Sequence, residues 1–151
     1  MVVHEVAPRA TQAAISDTGT ACTVDPMNIT RISTGPDGQS HFDDIVVDLD
    51  DLGPMGLLSA TIPSSGVQFR EVSGDYHLDF HRAPRRQYVV NLTGSVEIEV
   101  GDGTKRIMGP GSILLAEDTT GQGHISRNVN GEPRTCVFIH LDALLTQGQP
   151  A

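Results

Sequence analysis

Two stretches carry the residues best suited to chemistry. HRAPRRQYVVNLTG runs from His81 to Gly94, and GQGHISRN from Gly121 to Asn128. Each looks like part of a metal site with a ligand missing. Imidazoles suit Zn, Fe, Ni, Mn and Cu, and they also serve as acids and bases near neutral pH. The carbonyl of Gln87 is a neutral, weaker donor than a carboxylate. Arg85 and Arg86 follow a proline in an expected turn, and a planar guanidinium can hold a carboxylate or phosphate through two hydrogen bonds. Alternation turns at most one of the two inward. The pair could instead neutralise the acidic cluster Asp43, Asp44, Asp48, Asp50 and Asp51. Arg127 is expected at the surface. Glu117 and Asp118 end a strand, where the two carboxylates could supply a general base, with Glu117 the one assigned to catalysis, or could cap a turn through Thr119 and Thr120. Tyr76 and Tyr88 could donate to an oxyanion or simply pack. His140 reads as a satisfied core histidine.

The elements that position these residues are short and mostly of period two. MNITRIS, FDDIVVDL, GLLSATI, VQFREV, DYHLDFH, QYVVNL, SVEIEV, KRIMG, SILLA, HISRNV and TCVFIHL read as strands. Asp102-Gly103 between SVEIEV and TKRIM is a hairpin signal. In SVEIEV, Val96, Ile98 and Val100 share one face, with Glu97 and Glu99 on the other. Gln87, Val89 and Asn91 share a face of QYVVNL. The same parity puts His77, Asp79 and His81 together, with Leu78 and Phe80 opposite. Polar residues on facing sides of neighbouring strands predict a barrel with a polar cavity. About eleven short antiparallel strands predict an all-β sandwich or barrel. A single helical turn, ALLTQG, is expected after Asp142.

Composition narrows the partners. The chain has 151 residues, enough for one domain over 1–151, with an irregular arm over 1–25. A net charge of −9 argues against nucleic acid and anionic membranes. No eighteen-residue apolar run and no signal-peptide pattern is present, so a cytoplasmic location is expected. Cys22 and Cys136 read as two reduced thiols. No P-loop, dinucleotide fingerprint or nucleophile elbow occurs, so no nucleotide cofactor and no serine nucleophile is expected.

The two stretches resemble the paired motifs of the cupin superfamily, small jelly-roll β-barrels. The second motif is matched by Gly111, Gly121, His124 and Asn128, with Glu117 where proline is usual and about one extra residue between. The first is matched by His81, by Gln87 where the family has glutamate, and by Gly94; Ala83 stands where the family has its second histidine. The resemblance covers about residues 56–141. It implies a cupin-type jelly roll and a divalent transition metal (Zn, Fe, Mn or Ni) held by His81, Gln87 and His124. Asp79 or His77 could fill the gap at Ala83. Without a metal, His81 and His124 would be acid/base or hydrogen-bonded barrel histidines.

These readings favour an enzyme, a non-redox isomerase, cyclase or lyase acting on a small oxygenated or anionic substrate inside the barrel. It would be of biosynthetic type and a homodimer. His81 and His124 would hold the metal or move the proton, with Gln87 and Glu117 as further catalytic groups. Arg85, Arg86, Asn91 and Tyr88 would bind substrate. The alternatives are a metal-dependent cupin dioxygenase and a non-catalytic ligand-binding or sensor module.

Overall fold

The structure, a computed structural model, describes residues 25–142 and the backbone of two short paired strands, Ala14–Ile15 (β1) and Ala21–Cys22 (β2). The rest of the expected N-terminal arm, the Cys22 side chain and the expected turn after Asp142 lie outside the described residues. The chain continues through β3 (Asn28–Thr34), β4 (Ser40–Val46), β5 (Asp50–Asp51), β6 (Leu57–Leu58), β7 (Ser64–Val72), β8 (His77–His81) and β9 (Gln87–Thr93). It then forms β10 (Val96–Glu99), β11 (Lys105–Met108), β12 (Ile113–Ala116), β13 (His124–Asn128) and β14 (Arg134–Leu141).

Six strands form one sheet in the order β4-β3-β12-β9-β14-β7, and four form the other, β11-β10-β13-β8. This is the β-sandwich that the period-two pattern predicts, of the jelly-roll type that the resemblance implies. One pairing departs from the antiparallel expectation: β12 runs parallel to β3, with Leu114 opposite Thr30. GLLSATI is the weakest of the expected strands. Only Leu57–Leu58 pairs, against Asp50–Asp51, because Pro54 and Pro63 flank the segment and offer no amide hydrogen. No helix among the described residues is long and apolar enough to cross a membrane.

Alternation sets the core. Ile32, Val96, Ile98, Val100, Met108 and Leu114 are buried between the sheets with Phe42 and Val89 against them. Burial of one such aliphatic side chain contributes about 1.5–3 kcal/mol. Leu115, one residue on from Leu114, joins a second cluster with Ile29 and Leu141, on the opposite face of the larger sheet. The β10–β11 hairpin closes as the Asp-Gly pair predicts: Gly103 takes a φ of 86° and Thr104 N–H donates to Asp102 Oδ1 at 2.8 Å. On the outer face of the smaller sheet, Arg127 pairs with Glu97 and Glu99. Arg31 and Arg106 neutralise Asp43 and Asp44 of the acidic cluster.

β8 carries an irregularity that bears on the site. His124 lies opposite His81, but Ser126 lies opposite Leu78 rather than Asp79. Three steps on β8 thus face two on β13, which is a β-bulge. The bulge breaks the parity read from DYHLDFH. His81 and Leu78 both line the space between the sheets, while His77 and Asp79 are exposed.

Candidate active site in the barrel interior

Between the sheets lies a cavity of about 270 Å³. His81, Gln87 and His124 share its wall with Ala83, so the surviving motif positions do come together. The two imidazoles sit side by side, with ring centroids 4.4 Å apart and planes tilted by 57°. Each ring is fixed through Nδ1. His81 Nδ1 lies 2.8 Å from the backbone oxygen of Asp79. A carbonyl can only accept, so Nδ1 carries the hydrogen and Nε2 keeps its lone pair in the neutral ring. Burial, reinforced by the neighbouring His124, pushes His81 below the ordinary histidine pKa against the opposing pull of the Asp79 carbonyl.

His124 is held by a side chain the motif does not contain. Its Nδ1 lies 2.6 Å from Asp118 Oδ2, and Ser40 Oγ donates to the same oxygen at 2.8 Å. Asp118 is 0% exposed and His124 6%. Asp118 Oδ1 is buried without a hydrogen-bond partner among the described residues. The strand continues past β12 with its parity intact. Ala116 lines the cavity, Glu117 N–H continues the pairing with β3 by donating to Ile32 O at 2.8 Å, and the Asp118 side chain turns back in. A buried carboxylate on one ring nitrogen fixes the tautomer and stabilises positive charge when the other nitrogen takes a proton.

The other expected site residues separate. Asn91 lines the cavity, but its amide donates to Gly94 O and Met108 O at 2.7 and 3.2 Å and so braces two turns. Glu117 is not at the cavity; it accepts from Arg86 Nε at 2.6 Å on the outside of the barrel. The same parity that points Asp118 in points Glu117 out. Arg86 is thereby occupied, and Arg85 reaches His140 Nδ1 at 3.4 Å instead of the cavity. Tyr88 packs in the outer cluster with Leu115, one residue out of phase with Gln87. Asp79 accepts from the Phe80 N–H at 2.8 Å through its side chain, and neither it nor His77 faces the gap at Ala83.

Two arginines not expected at the site do line the cavity, Arg70 and Arg134. A signal for Arg134 is present: it extends by one step the face shared by Cys136, Phe138 and His140. Arg70 has no such signal, because its strand is exposed at most positions.

The donors for a metal are therefore His81, His124 and the neutral amide of Gln87. The cavity lining contains no Asp, Glu or Cys and does contain two guanidinium groups. No cluster of three or more His, Cys, Asp and Glu suited to a metal occurs among the described residues. A catalytic metal centre ordinarily uses three protein ligands, and here the third is a neutral amide, a weaker donor than a carboxylate.

No family model and no curated protein matches the chain. Among solved structures, a protein of Neisseria meningitidis aligns at 18% identity over 54% of this chain and 79% of its own, with a TM-score of 0.41. A candidate mannose-6-phosphate isomerase of Ralstonia eutropha aligns at 20% identity over 79% of this chain and 88% of its own, with a TM-score of 0.33.

Proposed function

We propose that the protein is an acid–base enzyme of the isomerase, cyclase or lyase type, acting on a small oxygenated or anionic organic molecule inside the barrel. The observation that carries this reading is the buried Asp118–His124 pair beside a second, half-buried imidazole at the cavity between the sheets. In an isomerisation, His124 Nε2 takes a proton from a substrate carbon, and the C–H electron pair moves into the substrate. Asp118 stabilises the imidazolium formed. The proton is then returned to a different substrate atom, directly or by way of His81, and a new C–H or O–H bond forms. No electron leaves the substrate, so no oxidant is required. Cyclisation and elimination use the same first step.

The test is proton exchange. A panel of carbon acids is incubated with the protein in D2O and followed by NMR for deuterium uptake at carbon. Uptake that depends on His124 supports the reading. Ligands that bind with no exchange at any carbon overturn it and leave the binding module.

His81 gives a pH signature. Its lowered pKa means that the folded protein favours the neutral ring. Between that value and the unfolded value near 6.5, the unfolded chain binds more protons. Stability from this group is full above about pH 6.5 and is lost as pH falls through the folded value. A nitrogen-detected NMR titration of the His81 ring is expected to show a midpoint below about 6.5, with the hydrogen on Nδ1 in the neutral form. A midpoint at or above that value contradicts the desolvated base.

The same reading makes the site metal-free in the working enzyme. Protein dialysed against zinc is expected to retain well below one equivalent by elemental analysis. Gln87→Glu adds an anionic ligand to the wall shared by the two histidines and is expected to raise retention by about tenfold or more. Full occupancy of the unaltered protein contradicts the metal-free assignment.

A further inference from the structure

The proposed acid–base function leaves one part of the cavity unused. Arg134 is 3% exposed and lines the cavity. Its Nε donates to Asn128 Oδ1 at 3.1 Å, and its NH1 group lies 3.5 Å from Asn91 Oδ1. Both partners are neutral amides. Arg70 lines the same wall, and neither arginine has a carboxylate partner among the described residues. The chain carries nineteen acidic residues against ten basic ones, yet no acidic side chain lines this cavity. Elsewhere in the fold Arg31, Arg86, Arg106 and Arg127 all pair with carboxylates. A buried, permanently charged guanidinium without a counter-charge is costly, and an anion from solution would offset that cost.

The aromatic neighbours indicate the shape of the anion. Arg70 stacks over Tyr76 at 4.8 Å and near Phe138 at 5.6 Å, and Arg134 lies 5.7 Å from the Tyr76 ring centroid. Rings on the faces of the guanidinium groups leave their edges for hydrogen bonding, which suits a planar carboxylate. The rest of the cavity wall is mostly apolar, with Leu78, Val89, Val96, Ile98 and Leu114 beside the polar Asn91, Ser112 and Ser126. His124 and Asn128, which holds Arg134, are four residues apart on β13, about 13 Å at ~3.3 Å per residue. The charged end and the imidazole end are therefore opposed along one strand.

We propose that Arg134 and Arg70 form a carboxylate anchor, and that the ligand is a small organic acid whose apolar body runs from this anchor toward His81 and His124. This assignment rests on the acid–base reading only for the role of the histidines; the anchor itself stands without it.

Titration calorimetry tests it with butyrate and benzoate, their neutral amides butyramide and benzamide, and inorganic phosphate. The carboxylates are expected to bind, and the amides about tenfold or more weakly than they do. Arg70→Met and Arg134→Met are expected to weaken the carboxylates by about tenfold to a hundredfold, the range for a charge-assisted hydrogen bond. Arg70 is only half-buried, so Arg70→Met carries the test if Arg134→Met does not fold. Arg31→Met, at a surface arginine paired with Asp43 and away from the cavity, is expected to keep carboxylate affinity within about threefold. Equal binding of acids and amides, unchanged affinity in Arg70→Met, tighter binding of phosphate, or no carboxylate binding at millimolar concentration each overturns the anchor. Retained anchoring without proton exchange overturns only the acid–base reading.

Discussion

Replacing His124 by alanine is expected to lower proton exchange by about 10²- to 10⁴-fold, the usual contribution of a positioned acid–base group. The expectation follows from position. His124 is fixed by a fully buried carboxylate and has its other nitrogen left for the cavity. Asp118→Asn is expected to come close to the same loss although Asp118 does not line the cavity. An amide that turns its NH2 group toward Nδ1 needs a lone pair there, which moves the ring hydrogen to Nε2 and removes the base. Because the two act as one unit, the double variant is expected to be little worse than either single one. Removing the imidazole also leaves the Asp118 carboxylate buried without its partner, at a cost of about 3–5 kcal/mol. His124→Gln, which keeps an N–H donor, is therefore the companion variant, and circular dichroism establishes that each is folded. Exchange above about a tenth of the original rate in a folded His124 variant removes the residue from its assigned role.

The fold was largely written in the sequence, because alternation is a local property. Ten of the expected strands recur with ends shifted by a few residues; the eleventh shrinks between two prolines. The site was legible only where parity holds. Gln87, Val89 and Asn91 share the cavity wall as QYVVNL predicts. In β8 the bulge adds one residue, and every side assignment across it reverses. That is why parity groups His77 and Asp79 with His81 although they lie elsewhere. For AED at 116–118, the pattern offers two adjacent carboxylates without saying which one turns inward. Counting from Ala116 would have chosen Asp118. The pairing of Asp118 with Ser40 is not legible at all, because it joins residues 78 apart in the chain.

The close approach of the segment before β13 to the end of β8 also concentrates mechanical demand on one glycine. Gly123 has a φ of 79°, and a Cβ added there would clash with the backbone oxygen and carbon of His81. Both are backbone atoms, so no rotamer change relieves the contact. The close approach of the chains at this point is what sets His124 opposite His81. Gly123→Ala is expected to cost roughly 3–5 kcal/mol, from the left-handed conformation together with the forced separation of the two segments. Gly103→Ala separates these contributions. Gly103 has a comparable φ of 86°, but a Cβ there would meet no atom within 4 Å, so only the conformational cost of about 1–2 kcal/mol applies. Urea unfolding of the two variants reads the difference. Gly123→Ala should also lose proton exchange under conditions where it is still folded, since the chain that carries His124 must withdraw from the chain that carries His81. A Gly123→Ala protein as stable as Gly103→Ala, with exchange intact, would show that the two imidazoles do not depend on this contact, and the paired-histidine centre would then have to be held by Asp118 and the Asp79 carbonyl alone.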